Sequence, residues 1–286
     1  MIRTRKGDLI VTNEGQNKLL ESLYGSVCGR AALKLLTAPA VSRAAGRFMD
    51  SRLSKPFINP FIKKSGIDMS DYNMYDFRSY NDFFTRTIRP GKRPADTDRS
   101  HLISPCDSKL TAYRISDSSI FCIKNSMYRV SDLLKSRQLA EHYSGGYCLI
   151  FRLEVDDYHR YIYIDDGIKS RNIRIGGELH TVNPIALSHY NIYKRNAREF
   201  TIMRTENFGY VIQVEVGAMF VGRIVNHHGK SRITRGTEKG YFEFGGSTIV
   251  LLIERDRAVI DDDILENSAN GCETVVKCGE KIGNKR

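Results

Sequence analysis

The stretch Tyr147-Cys148-Leu149-Ile150-Phe151-Arg152-Leu153-Glu154-Val155, continued by Asp156-Asp157-Tyr158-His159-Arg160-Tyr161-Ile162-Tyr163-Ile164-Asp165-Asp166-Gly167, decides the fold class. Its apolar, aromatic and β-branched residues come in short runs cut by Asp and Gly, the pattern of strands joined by turns. It predicts strands over 147–155, 158–164 and 168–175, with turns at Asp165-Asp166-Gly167 and Gly176-Gly177. Working outward, the same texture begins beyond Arg89-Pro90-Gly91 and predicts further strands over 200–205, 210–216, 220–225 and 248–253. The expected class is α+β: N-terminal amphipathic helices, then a compact, mainly antiparallel β domain with helices packed to one side.

The helical expectation rests on Gln16 to Met49, where Leu19, Leu20, Leu23, Val27, Ala31, Leu35, Leu36, Val41, Ala44, Ala45 and Phe48 recur at three- and four-residue intervals and Pro39 breaks the run. Ser54 to Ser79, with Pro56, Pro60 and Gly66, reads as short helices and turns. The chain therefore divides into a helical, basic region, 1–79, and a β-rich domain, 80–286. Of the formal charge of +11, residues 1–64 carry +8, from twelve Lys or Arg against four Asp or Glu. Such a patch suits nucleic acid or an anionic lipid surface. With no paired CxxC and HxxxH, no RNP-like aromatic run and no GxxG clamp in context, a membrane partner is expected and nucleic acid is not. Amphipathic helices bearing Lys34, Arg43, Arg47 and Arg52 fit a lipid interface. No apolar run is long enough to span a bilayer and Met1 to Lys6 lack a signal-peptide core, so a peripheral position on the cytoplasmic face of the cell membrane is expected. The six cysteines, at 28, 106, 122, 148, 272 and 278, have neither metal-like nor dense disulfide spacing and read as reduced, mostly buried thiols.

Chemistry concentrates in Gly240-Tyr241-Phe242-Glu243-Phe244-Gly245-Gly246-Ser247-Thr248, which leads into Ile249-Val250-Leu251-Leu252. A serine follows two glycines where a strand begins. Without a Cβ, Gly246 leaves its carbonyl open to the neighbouring hydroxyl and tolerates strained backbone, as an N→O acyl shift needs. By itself a Gly-Gly-Ser-Thr segment most often serves only as a turn.

It does not stand by itself. Tyr80-Asn81-Asp82-Phe83-Phe84-Thr85-Arg86 with Arg89-Pro90-Gly91-Lys92-Arg93-Pro94, Ser104-Pro105-Cys106-Asp107-Ser108, Asp157-Tyr158-His159-Arg160, Gly177-Glu178-Leu179-His180-Thr181-Val182-Asn183, Val216-Gly217-Ala218-Met219-Phe220-Val221-Gly222 and Gly246-Ser247-Thr248 follow in order. In these blocks the sequence resembles the phosphatidylserine decarboxylases over roughly residues 50–255. The resemblance implies a proenzyme that cuts itself between Gly246 and Ser247, giving a β chain of 1–246 and an α chain of 247–286 that stay non-covalently associated. Ser247 Oγ would attack the Gly246 carbonyl, β-elimination would open the ester, and hydrolysis with loss of ammonia would leave a covalent pyruvoyl group at position 247. A Schiff base between that group and the substrate amine would then serve as electron sink for decarboxylating phosphatidylserine to phosphatidylethanolamine. No external cofactor and no metal are implied, and a homodimer is compatible with the resemblance.

Inside the matched blocks His159 is the candidate base and Asp107 the candidate group that orients it or stabilises its cation. Two departures from many family members bear on this. Ser108 stands where glycine is usual, and Ile162 stands where a second histidine is a candidate member of the self-cleavage triad, as in a subtype this sequence resembles. His227 and His228 are then alternative bases, and His180 is a further pocket candidate. Asp261-Asp262-Asp263 lacks the spacing of a Ca²⁺ loop and reads as a solvated turn. Phe83-Phe84 reads as a helix anchor on the core, with lipid contact as the alternative. The competing functional class is a catalytically inactive relative that binds anionic lipid. A serine hydrolase is disfavoured because Ile249 occupies the last glycine position of a Gly-x-Ser-x-Gly elbow.

Overall fold

A computed structural model describes residues 1–10, 39–73, 76–123, 126–177, 196–217, 223–245 and 247–286. The centre is an eleven-stranded sheet whose order runs Ser231–Ile233, Gly167–Lys169, Arg198–Thr205, Tyr210–Gly217, Ser247–Ile253, Tyr147–Leu153, Ser108–Arg114, Glu273–Val276, Ile2–Arg3, Leu9–Ile10, with Ile173–Ile175 also paired to Arg198–Thr205. Its pairings are antiparallel except Ile2–Arg3 against Glu273–Val276. The strands Tyr147–Leu153 and Ser247–Ile253 are buried at every position, which explains why they read as apolar runs.

A three-stranded sheet, Ile224–Asn226, Glu238–Phe242 and Arg160–Ile162, carries the segment that precedes Ser247. Another joins Ala258–Ile260, Lys281–Lys285 and His101–Ile103. The expected strands appear with adjusted bounds: 158–164 shortens to Arg160–Ile162, and 168–175 divides into Gly167–Lys169 and Ile173–Ile175. Of the strand expected over 220–225, residues 220–222 lie outside the described residues and Ile224–Asn226 continues it.

The described helical part of the N-terminal region is Pro39–Asp50, a 3₁₀ turn Arg52–Phe57 and Ile58–Ser65, closed by Gly66 at φ +62°. Pro39 opens its helix, where a missing N–H removes no helical hydrogen bond. Residues 16–38, which carry most of the amphipathic reading, lie outside the described residues. The first ten residues are not helical: Ile2–Arg3 adds to the main sheet, and Arg5 binds Asp261 at 2.8 Å and Asp263 at 2.6 Å. The triple aspartate is accordingly not a free solvated turn. It opens the helix Asp262–Ala269, with Asp262 and Asp263 in the first turn, where carboxylates complement the helix dipole. Cys106, Cys148 and Cys272 are buried and free, as is the half-buried Cys278.

Candidate active site

Register fixes which way Ser247 points. It pairs with Leu153 on one side and Gly217 on the other, and Ile249 pairs with Phe151 and Glu215; directly opposed residues share a face. Thr248, Arg152 and Val216 share the opposite face. Glu215 reaches Lys239 of the small sheet at 2.7 Å, both side chains fully buried, so the small sheet lies over the Ser247 face.

The small sheet presents His159 to that face. Tyr161 is fully buried, with Phe242 5.1 Å and Lys239 Nζ 5.5 Å from its ring, and therefore points inward. Arg160 points outward to Glu238 at 2.7 Å and to the ring of Tyr241. Phe242 N–H donates to the His159 carbonyl at 3.0 Å, which extends the ladder, so alternation returns His159 to the inward side. Ser247 and His159 thus come from facing surfaces of two packed sheets, at the end where the chain leaves Phe242 for Ser247.

Both groups are fully buried, and neither Ser247 Oγ nor His159 Nε2 has a hydrogen-bond partner among the described residues. Buried polar atoms are nearly always paired, and among the unpartnered ones these two are a hydroxyl and an imidazole nitrogen on facing surfaces. His159 Nδ1 lies 3.0 Å from the Asp157 carbonyl. A carbonyl only accepts, so Nδ1 carries the proton and the Nε2 lone pair is open. Burial pushes the imidazole down to about 3, with Arg86 and Lys109 adding to the effect and Asp157 opposing it. His159 is therefore neutral, and able to accept a proton, throughout the physiological range.

The Tyr80–Phe84 helix braces this junction. Ser79 caps it by accepting from Asp82 N–H at 3.2 Å. Asn81 Oδ1 accepts Phe244 N–H at 2.8 Å, Tyr80 meets Phe244 edge-on at 5.2 Å, and Phe84 lies 4.0 Å from the His159 ring and 5.4 Å from Phe244. Phe83 and Phe84 are fully buried, which fits the core-anchor reading and not lipid contact. Glu243 N–H donates to the Arg223 carbonyl at 3.0 Å, and Gly245 takes φ +138°, a backbone that favours glycine. Gly246 lies outside the described residues, as does His180.

Asp107 has other partners than His159. Its buried carboxylate pairs with Arg93, accepts Cys278 N–H at 2.8 Å and has Lys277 Nζ at 3.5 Å. Arg93, Lys277 and Cys278 line a surface cleft with Asp71, Pro94 and Glu280. His227 and His228 sit toward the other end of the small sheet. His227 N–H donates to the Lys239 carbonyl and its Nε2 lies 2.6 Å from Glu238, while His228 Nδ1 lies 3.2 Å from the Tyr163 hydroxyl. Lys239 lies three positions before Phe242, roughly 10 Å along the ladder. The residues that sequence reading missed are Asn81 and Phe84 as braces and the Asp157 carbonyl as the partner of His159. The first two lay inside a quoted motif, whereas a backbone carbonyl has no side-chain signature.

The family model for phosphatidylserine decarboxylase matches residues 80–284. The chain belongs to the phosphatidylserine decarboxylase family. It is 50% identical to phosphatidylserine decarboxylase proenzyme 2 of Clostridium acetobutylicum over 270 residues, 94% of this chain and 92% of that one. It is 40% identical to the phosphatidylserine decarboxylase proenzyme of Clostridium botulinum strain Alaska E43 (96% and 94% covered) and 42% identical to that of Ruminiclostridium cellulolyticum (93% and 91%). The family match begins at Tyr80, the first residue of the helix that braces the Ser247 junction.

Proposed function

We propose that the chain decarboxylates phosphatidylserine to phosphatidylethanolamine after cutting itself between Gly246 and Ser247, with a pyruvoyl group formed at position 247. The observation that carries the reading is the pair of buried, unpartnered atoms Ser247 Oγ and His159 Nε2 on facing surfaces. Neutral His159 takes the Ser247 hydroxyl proton as Oγ attacks the Gly246 carbonyl carbon; the imidazolium then returns a proton to the departing Ser247 nitrogen as the peptide C–N bond breaks. An orphaned hydroxyl on the first residue of a buried strand suits a position that becomes a prosthetic group. The pyruvoyl carbonyl supplies the sink for the electron pair left when carbon dioxide departs. Phe84 and Phe244 pack at the junction, and His159, held by the Asp157 carbonyl, is the group on the facing sheet able to hold a proton there. Asp107 holds Arg93 and the Lys277–Cys278 turn.

Continued association of the cut chains follows from strand order. Residues 247–253 form an inner strand between Tyr210–Gly217 and Tyr147–Leu153, and Glu273–Val276 lies between Ser108–Arg114 and Ile2–Arg3. For the lipid surface, Leu53, Phe57 and Phe48 are 74%, 56% and 41% exposed, beside Arg47, Arg52, Lys63 and Lys64. Apolar tips ringed by cations suit peripheral docking on anionic phospholipid at the cytoplasmic face. No helix among the described residues is long and apolar enough to cross a membrane.

The test is to incubate purified protein with phosphatidylserine vesicles and follow carbon dioxide release and phosphatidylethanolamine. The expected activity is abolished by hydroxylamine, which captures the carbonyl. Turnover insensitive to carbonyl reagents, or its absence from fully cut protein, would contradict the reading.

A further inference from the structure

Once Asp107 is committed to Arg93, Lys277 and Cys278, something else must set the direction of the His159 ring. The only hydrogen-bond partner of that ring among the described residues is the Asp157 carbonyl, so ring placement depends on what holds the turn between Leu153 and His159. Two cations hold it. Lys109 Nζ lies 2.7 Å from Asp157 Oδ2 and 3.1 Å from Glu154 Oε2, and the same Asp157 Oδ2 accepts Glu154 N–H at 2.7 Å. Arg86 Nη2 donates to the Asp156 and Asp157 carbonyls at 3.1 and 3.3 Å. Lys109 pairs in register with Arg152, hence with the Thr248 face, and points away from the face that carries Ser247. It cannot touch the reacting serine and acts only through the turn.

We propose that Lys109 and Asp157 are the positioning pair of the self-cleavage base: Lys109 pins the Asp157 carboxylate, the pinned turn aims the Asp157 carbonyl at His159 Nδ1–H, and His159 Nε2 is left directed at Ser247. The inference deepens the reading of His159 as base and rests on it. The residue pair takes the orienting role that the sequence alone gave to Asp107. Lys109 is nearly buried and shares its ammonium with Glu154, whose carboxyl the cations Arg152 and Lys109 hold down at about 2 against the effect of burial. Against the effect of burial, Asp157 and Glu154 raise the pKa of Lys109, so its ammonium stays charged across the range in which cleavage would be measured. The charged groups that act most on the His159 imidazole are Asp157, Arg86 and Lys109.

The experiment follows the appearance of the 247–286 fragment in freshly synthesised full-length chain between pH 5 and 8.5, for wild type, Lys109→Met, Lys109→Arg, Asp157→Asn and His159→Ala. Wild type should cut at a rate that does not fall toward pH 5, because its base stays neutral there. Lys109→Met and the isosteric Asp157→Asn should each cut about 10–100-fold more slowly, the range that a small misplacement produces. Burial, which neither substitution relieves, is the main cause of the low imidazole pKa, so both should keep the flat profile and lose rate equally at every pH. Lys109→Arg should restore most of the rate. Wild-type rates in both Lys109→Met and Asp157→Asn, while His159→Ala stays uncut, would overturn this inference alone. Normal cutting by His159→Ala would overturn the base assignment beneath it. Should Lys109→Met elute as an aggregate, Asp157→Asn carries the same decision.

Discussion

Lys239 and Glu215 join the sheet that carries His159 to the sheet that carries Ser247, and the pair sets the most quantitative expectation for the fold around the site. Their 2.7 Å contact has no solvent exposure on either side, and Asn226 completes it by accepting from Lys239 at 2.7 Å and donating to Glu215 at 3.3 Å. Removing one partner strands the other charge in the interior, which costs about 3–5 kcal/mol. Asn226 stays with whichever charge is left, but it holds Lys239 at 2.7 Å and Glu215 only at 3.3 Å, which favours the lower half of that range for Glu215→Leu and the upper half for Lys239→Met. Replacing both leaves no stranded charge, and Lys239→Met/Glu215→Leu should fall within about 2 kcal/mol of the parent. The measurement is denaturant unfolding in the Ser247→Ala background, which keeps every chain uncut. Each single variant should also lower the melting temperature by roughly 10 °C. A single-variant loss below about 1 kcal/mol, or a double variant as unstable as the two singles summed, would refute the reasoning.

Three further outcomes follow from the same geometry. In uncut Ser247→Ala chain, His159 titrates far below its unfolded value, so the unfolded state binds the extra proton and stability falls on acidification from about pH 6.5, by up to about 1.4 kcal/mol per pH unit; His159→Gln should flatten that slope by about one proton in pH-dependent urea melts. A Cβ at Gly240 would meet the Val225 carbonyl oxygen at 2.1 Å, so Gly240→Ala should part Ile224–Asn226 from its neighbour, cost about 2 kcal/mol or more and slow self-cleavage, read by melting and gel assay together. Leu53→Glu/Phe57→Glu should weaken flotation with phosphatidylserine vesicles at least about tenfold while leaving cutting intact, since each exposed apolar side chain contributes about 1.5–3 kcal/mol when buried. Unaltered flotation would remove these residues from the docking surface.

How much was legible beforehand depended on whether a residue's own side chain carried the signal. The inner strands 147–153, 210–217 and 247–253 read clearly because burial on both faces demands apolar runs. Glu273–Val276 and Lys281–Lys285 did not, because about half of their residues are polar and each pairs with a strand more than 160 positions away, Lys281–Lys285 lying between that strand and Ala258–Ile260. Ile2–Arg3 is too short for any periodicity, and its place beside Glu273 is a tertiary decision. In the site, Ser247 and His159 were readable from motifs. The role of Asp107 was less so: nothing local announces that Arg93 and Lys277 will occupy its carboxylate, and the carbonyl that binds His159 belongs to a residue whose side chain faces Lys109 instead. The second brace, Asn81 on Phe244 N–H, spans 163 positions and only the fold brings it about.

The most direct measurement is intact mass spectrometry of purified wild-type chain beside Ser247→Ala. Wild type should yield a 1–246 fragment and a 247–286 fragment whose first residue has the mass of a pyruvoyl group, and Ser247→Ala should stay at full length. A wild-type chain that stays whole under conditions that permit maturation, or a 247–286 fragment beginning with an unmodified serine, would contradict that expectation.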